Sequence, residues 1–293
     1  RQRRHGAGGT TSARYCYAVW MRHVIKLREN NLNTHPNIIA ELGPGGSVGI
    51  GLTALLLGTE KYLAFDVVNF ENIKSNLVIL EDLIQMLDNR ESIPDKKEFP
   101  NVQPYLDDFQ FPSNIYSEEH MKHALSIKRI EKIRQSVLNP RSPDSMITYK
   151  APWFNADICL PSSVDLIYSQ AVLEHVDDLD ETYRTMKTWL KHGGVMSHSI
   201  DFKSHGYAHT WDGHWAISNL RWRIMRGKRP YMINRQPLST HLRLIKKNGF
   251  SIINLKKIEH ESTVLLENLV EHDTDFTSED RRTSGVYLQA VTK

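Results

Sequence analysis

The chain has 293 residues, 40% of them hydrophobic and 24% charged, with a formal net charge of +3. That balance excludes wholesale disorder and leaves enough apolar residues for a sizeable core. Lys and Arg are scattered, apart from Arg1, Arg3 and Arg4 and the stretch from Arg221 to Arg229, so no nucleic-acid partner is expected from bulk charge.

Cys16 and Cys159 lie far apart without metal-ligand spacing, which predicts neither a disulfide framework nor a zinc site and suits a reducing cytoplasm. No apolar run approaches the roughly 20 residues of a membrane span, and no signal-peptide pattern is present. Nothing in the pattern sets an oligomeric state.

A leader with Gly6, Gly8 and Gly9 precedes Cys16, Trp20, Val24 and Leu27, whose spacing predicts an amphipathic helix; residues 1–36 form this N-terminal part. Strands and helices then alternate. A strand at Asn37 to Leu42, a helix at Val48 to Leu57 and a strand at Tyr62 to Val67 lead to a helix with Leu77, Leu80, Ile84 and Leu87 on one face. The rhythm breaks at 88–144, where several prolines precede a charged helical stretch, and this reads as an insertion.

Beyond it come strands at Met146 to Lys150 and Val164 to Ser169, a helix carrying Leu179, Tyr183 and Met186, and a strand at Gly194 to Ile200. Phe250 to Lys257 and Gly285 to Thr292 read as an antiparallel pair at the sheet edge. The segment 201–237 is rich in His and Trp and poor in periodicity. Together these predict an α/β domain over 37–293, its seven-stranded, mostly parallel sheet covered by helices on both faces.

The run Ile38 to Gly49 joins a buried strand to a glycine turn, where Gly43, Pro44 and Gly45 permit close backbone approach of a ligand to the next helix. Glycine loops serve dinucleotide enzymes, methyltransferases and plain turns alike. Glu41 at the strand end narrows the choice, because an acid suits an ammonium group and repels a pyrophosphate. Asp66 ends the next strand about 20 residues on, where a carboxylate accepts hydrogen bonds from ribose hydroxyls. The pair describes a nucleoside with a cationic amino-acid tail.

On these residues the chain resembles class I S-adenosylmethionine-dependent methyltransferases, with a Rossmann-like sheet. Glu41, Gly43 and Gly45 match the first motif, with Ser47 where a third glycine often stands. Asp66 matches the second, the run Val164 to Val176 the fourth-strand motif, and Lys191 to Val195 the turn into the fifth strand. The resemblance implies S-adenosyl-L-methionine as cofactor, with Glu41, Gly43, Pro44 and Gly45 at its methionine portion and Asp66 and Val67 at the ribose. Ala151 to Trp153 would flank the adenine, and Ser169 and Gln170 the reactive side.

Methyl transfer to a hydroxyl needs a base, and His is suited by its pKa. His175 is one candidate. A denser cluster follows the fifth strand: His198, Asp201, Lys203, His205, His209, Trp211, Asp212, His214 and Trp215. His205 is expected as the base and Asp201 as its orienting acid, with a wet, His-rich surface loop as the bland alternative. No compact ligand motif supports a metal. Trp20 and His23, the run Ile200 to Phe202 followed by His205, and Asn234–Arg235 after Tyr231 also look like methyltransferases found among carbohydrate-assembly enzymes.

That likeness implies an O-methyltransferase of a sugar, glycan terminus or related polar metabolite, with His23, His198, His209, Trp211, Asn234 and Arg235 at the acceptor. An N-methyltransferase of a small molecule and a non-catalytic cofactor-binding module are the alternatives. A nicotinamide-dependent oxidoreductase is disfavoured by Glu41.

Overall fold

The computed structural model of the chain describes residues 9–69, 72–153, 156–229, 232–265, 269 and 276–293; Arg1, Arg3, Arg4, Gly6, Gly8 and Tyr231 lie outside them. Among the described residues seven strands occur: β1 (Ile38–Leu42), β2 (Lys61–Phe65), β3 (Ile147–Lys150), β4 (Val164–Gln170), β5 (Leu190–Asp201), β6 (Phe250–Glu259) and β7 (Thr283–Thr292). They are hydrogen-bonded in the order β3-β2-β1-β4-β5-β7-β6. β1 and β3 flank β2 in parallel, and β6 runs antiparallel to β7 with irregularities at Ile252/Asn254 and Ile258/Glu259. This is the expected Rossmann-like sheet, mostly parallel with one antiparallel edge strand. Among the described residues no helix is long and apolar enough to cross a membrane.

The chain clusters into two compact units, Arg1–Tyr168 with Trp189–Val195, and Ser169–Thr188 with Met196–Lys293. The sequence had suggested a leader ahead of one domain.

In the first unit the leading helix α1 (Ala13–Glu29) is started by Ser12, whose hydroxyl accepts from the Tyr15 N–H. It is buried nearly all round, not on one stripe: Cys16 to Val24 and Lys26 and Leu27 are all enclosed. One side packs on α2 (Gly49–Leu56) and α3 (Ile73–Asp88). The other is covered by the first part of the 88–144 segment, where the Tyr17 hydroxyl donates to Glu91 O (2.5 Å) and the Arg22 guanidinium donates to Pro94 O (2.8 Å). Burial lowers the Arg22 pKa to about 10.

The buried face of α3 is Asn76, Ile79, Leu80, Leu83, Met86 and Leu87, so Ile79 and Leu83 replace the expected Leu77 and Ile84. The charged stretch after it forms two helices, α4 (Glu118–Ala124) and α5 (Ile127–Leu138); α5 packs on α2 and α3. Two glycines of α2 let it approach α1 and β2 closely. A Cβ on Gly49 would stand 2.5 Å from Cys16 Sγ, and one on Gly51 would stand 2.3 Å from the Tyr62 ring.

In the second unit α6 (Leu179–Trp189) precedes β5, and α8 (Leu238–Lys247) packs on β6 and β7. The segment after β5 carries a 3-10 turn (Gly213–Ala216) and a short helix, α7 (Asn219–Arg226), capped by the Ser218 hydroxyl and ended by Gly227 at φ 52°. Trp222 on α7 packs with Met232 and Ile233, flanked by Tyr207, Ile217 and Met225. The loop Ser204–Trp211 is closed on itself by Ser204 N–H to Trp211 O (2.7 Å) and the Ser204 hydroxyl to Thr210 O (2.8 Å).

Candidate active site

The glycine turn leaves β1 with Gly43 and Gly45 at φ 67° and 69°, the left-handed region where a side chain would be strained. Gly43 N–H donates to Phe65 O (2.8 Å), joining the turn to the end of β2. Asp66, the next residue, is buried, and its carboxylate accepts from Gly45 N–H (3.2 Å), Val67 N–H (2.7 Å) and Val68 N–H (3.3 Å). Burial raises its pKa against the opposing effect of these donors.

Ser47 explains the missing third glycine. Its hydroxyl donates to Thr10 O and accepts from Gly49 N–H (3.1 Å), while Gly46 N–H donates to the Thr10 hydroxyl (3.0 Å), so the segment before α1 is tied onto the turn. Pro44 is buried, Ala151 half-buried and Val67 exposed. Beyond Ala151, Trp153 N–H donates to Asp66 O (3.1 Å), and the Trp153 ring packs near Phe65 and Trp189 at 6.3 and 5.6 Å.

Glu41 is enclosed, and one carboxylate oxygen accepts from both the Tyr62 hydroxyl (2.5 Å) and the Tyr168 hydroxyl (2.8 Å). Desolvation pushes its pKa up to about 7, opposed by the two phenols and reinforced by Asp66. A buried acid held only by neutral donors, beside a second acid, is a site that a cation would stabilise. The donor set therefore fits a cationic nucleoside: two carboxylates, a strand-end turn with left-handed glycines and an indole nearby.

In the second unit Ser169 and His198 are both fully buried and share a hydrogen bond, Oγ to Nδ1, of 2.7 Å. The Oε1 of Gln170 is enclosed and meets no hydrogen-bond partner among the described residues. Four residues on, Glu174 is 3% exposed, and neither carboxylate oxygen reaches a well-formed hydrogen bond. Desolvation, then the nearby Asp201 charge, raises its pKa well above the carboxylate range, with the N–H groups of Glu174 and Asp201 opposing.

The Asp201 carboxylate stands 3.6 Å from His205 Nε2 and accepts from Lys203 N–H (2.9 Å). His205 itself lies in the left-handed region at φ 48°, followed by Gly206 at φ 79°, and is partly exposed. This is strain at a non-glycine residue, of the kind that costs about 1–3 kcal/mol and persists where surroundings enforce it. The His175 and His205 rings meet edge to face at 5.1 Å and 83°. One ligating atom each of Glu174, His175 and His205 lie within 4.8 Å of one another. No compact sequence motif announced this group, because the fold brings together residues some 30 positions apart.

Residues 48–255 match the family described as Methyltransferase domain. The chain belongs to that methyltransferase family. It is therefore an enzyme, a methyltransferase. No curated protein matches the sequence. Among solved structures it is similar to an S-adenosylmethionine-dependent methyltransferase from Mesorhizobium loti, at 16% identity over 91% of this chain and 96% of that one, TM-score 0.44. It is also similar to phosphoethanolamine N-methyltransferase 2 of Haemonchus contortus in complex with S-adenosyl-L-methionine, at 14% identity over 97% of this chain and 58% of that one, TM-score 0.45.

Several residues expected at the acceptor have their side chains committed within the methyltransferase. Arg235 offers no open fork: it donates to Ile217 O (2.6 Å) and the Asn219 side chain (2.6 Å) and lies over the Trp222 ring at 4.6 Å. The Asn234 amide donates to Leu173 O and Val176 O, both at 2.8 Å, and so holds the turn that carries Glu174 and His175. Trp211 donates to Glu261 O (2.9 Å), and Trp215 is buried and donates to Arg235 O (3.0 Å).

Asp212 is a knot for the 262–264 strand exit. Burial would raise its pKa, yet hydrogen bonds from Thr263, Ser262 and Val264 hold it below the usual range. His198 is enclosed with Ser169, and His23, in the first unit, is enclosed with its ring 5.5 Å from Tyr168. His209 alone of the acceptor set is exposed on the closed loop.

The sequence reading missed Tyr62, Tyr168, Thr10 and Glu174. Tyr62 and Tyr168 sat in predicted buried strands, where a phenol reads as core. Glu174 had a signal, an acid beside His175 in an otherwise apolar strand exit, but was read only as part of the fourth-strand motif.

Proposed function

We propose that this methyltransferase moves the methyl group to a hydroxyl of a sugar, glycan terminus or related polar metabolite in the cytoplasm, with His205 taking the hydroxyl proton and Asp201 orienting the imidazole. The observation that carries this reading is the Asp201–His205 pair at 3.6 Å on a closed loop that holds His205 in a left-handed conformation. A base that must be aimed warrants a loop that spends backbone strain on aiming it.

On this reading Glu41 holds the amino group of the donor, the turn Gly43–Pro44–Gly45 lies against its methionine portion, Asp66 and Val67 take the ribose and Ala151 borders the adenine. Gln170, whose Oε1 meets no hydrogen-bond partner among the described residues, and Ser169, bonded to His198, are assigned to the reactive side. When bound, S-adenosylmethionine supplies an electrophilic methyl on a sulfonium. The acceptor oxygen gains the carbon as the sulfur loses it, and the hydroxyl proton passes to the His205 imidazole, so charge is not built up on the acceptor.

Transfer of tritium from methyl-labelled donor to a panel of glycans and polar metabolites tests the acceptor class. Labelled product on a sugar hydroxyl is expected; label appearing only on amines overturns the hydroxyl reading.

A second reading is favoured by Glu174, whose buried carboxylate lacks a good partner beside Asp201. A divalent ion on Glu174, His175 and His205 would neutralise that excess of negative charge and lower the pKa of an acceptor hydroxyl, making His205 a ligand instead of a base. The two readings separate on chelation: turnover that survives exhaustive chelator treatment leaves His205 as the base.

A further inference from the structure

From 213 to 258 the chain has no Asp or Glu, yet it carries six Arg (221, 223, 226, 229, 235, 243) and five Lys (228, 246, 247, 256, 257). Part of this charge is used locally. Arg226 pairs with Asp177, Lys247 with Asp180 and Lys257 with Glu279, and Arg235 is bonded inside the unit. Arg221, Arg223, Lys228 and Arg229, on and just after α7, form no ion pair among the described residues.

α7 also breaks the rule that a helix hides its apolar residues. Leu220 and Ile224 are 63% and 73% exposed, while Trp222 is 6% exposed in the cluster with Met232 and Ile233. At about 100° per residue, Leu220 and Ile224 share one stripe, Trp222 points the opposite way, and Arg221 and Arg223 flank the stripe on its two sides. The helix is thus pinned by one face and presents two aliphatic tips between two guanidinium groups.

We propose that α7 seats this methyltransferase on an anionic phospholipid surface. Aliphatic tips entering the acyl boundary with Arg and Lys at headgroup depth are what such a surface rewards. A nucleic-acid surface would use the same charges without the two exposed aliphatics, and would bring aromatic side chains to stack on bases; here Trp222 faces inward.

The seat belongs to the same unit as His205. The Tyr207 ring, two residues beyond His205, packs on Trp222 at 5.7 Å, the Arg235 guanidinium lies over the Trp222 ring at 4.6 Å, and Asn234 N–H donates to Glu174 O at 2.6 Å. Resting on the acceptor reading above, this assigns the acceptor to a class displayed at a membrane, a polar or glycan headgroup on a lipid carrier.

The test is co-sedimentation of the full chain with vesicles of phosphatidylcholine alone or mixed with phosphatidylglycerol. Binding is expected to the mixed vesicles only and to weaken with salt. Neutralising a basic residue near such a surface weakens binding about fivefold, so Arg221→Gln with Arg223→Gln is expected to lose about 25-fold. Leu220→Ser with Ile224→Ser is expected to lose about tenfold.

Donor binding by calorimetry, unchanged in each variant, shows that the fold is kept. No binding to mixed vesicles, or equal binding by both variants, overturns the proposal. So does tight binding to random single-stranded RNA that is indifferent to Leu220→Ser with Ile224→Ser, which makes the patch a nucleic-acid surface. Vesicle binding does not depend on His205, so a failed acceptor reading leaves this result readable, and the reverse holds.

Discussion

The two polar centres of this methyltransferase are built on opposite plans. Around the glycine turn, Asp66 accepts three backbone N–H groups and Glu41 two phenol hydroxyls, so both acids are fixed before any ligand arrives. Around the loop after β5, Gln170 Oε1 and both Glu174 oxygens are enclosed without good partners, and His205 is held in a strained conformation. A centre that always meets the same donor gains from being satisfied in advance. One that must recognise an acceptor keeps unsatisfied groups for it, at a cost in stability of about 1–3 kcal/mol for each buried polar group left unmade.

The widest separation between the two centres is expected in His205→Ala. Loss of a general base lowers turnover by about 100-fold or more, while donor affinity measured by calorimetry stays within about twofold of the parent. A variant that loses donor affinity as well would join the two centres into one.

Asp66→Ala is the converse case. If Asp66 takes the ribose as proposed, its removal is expected to weaken donor binding about 10- to 100-fold, the worth of a hydrogen bond to a charged group. An unchanged dissociation constant would take the ribose away from Asp66 and leave it as a clamp on Gly45 alone.

Legibility in the sequence follows the same division. The strands were readable because β1 and β2 are apolar runs closed by a glycine and an acid, and Glu41 and Asp66 stand at the ends of those runs, where the carboxyl edge of a parallel sheet gathers them. The burial of α1 was not, because the residues that cover it, Glu91 and Pro94, come from a stretch that looks like an insertion. The acceptor residues were the least readable. Trp, Arg and Asn in a His-rich loop suggest sugar recognition, but the same types close loops by donating to carbonyls, and only the fold shows that Arg235, Asn234 and Trp211 do the latter.

Glu41 offers a test within the satisfied centre. Its folded pKa of about 7 stands above the ordinary 4.5, so between those values the folded state binds the proton more tightly than the unfolded chain. Stability of the ligand-free protein is therefore expected to fall as pH rises from about 4.5 to 7, by up to ~3 kcal/mol from this group, and to flatten above. Donor binding has the opposite slope: an ammonium group needs the carboxylate, so affinity rises towards pH 7 by nearly tenfold per unit. In Glu41→Gln both slopes should vanish, and calorimetry in buffers of different ionisation enthalpy should lose the proton released on binding. A retained slope in the variant would move the titration to another group.

The smallest effect is expected one step behind Glu41. Gly51 has no role in any glycine motif, yet a Cβ there would stand 2.3 Å from the Tyr62 ring, whose hydroxyl holds the acid. Helix propensity alone would make Gly51→Ala stabilising by up to about 1 kcal/mol. Overpacking against a buried ring acts the other way by about 1–3 kcal/mol, and should win because Tyr62 is fully enclosed and has nowhere to rotate. Thermal unfolding should thus show a Tm a few degrees lower, and the pH midpoint of donor binding should move up as Glu41 loses a phenol that favours its charged form. A higher Tm with an unmoved midpoint would mean that the ring yields freely, and that the firmness of the donor centre does not extend to the helix behind it.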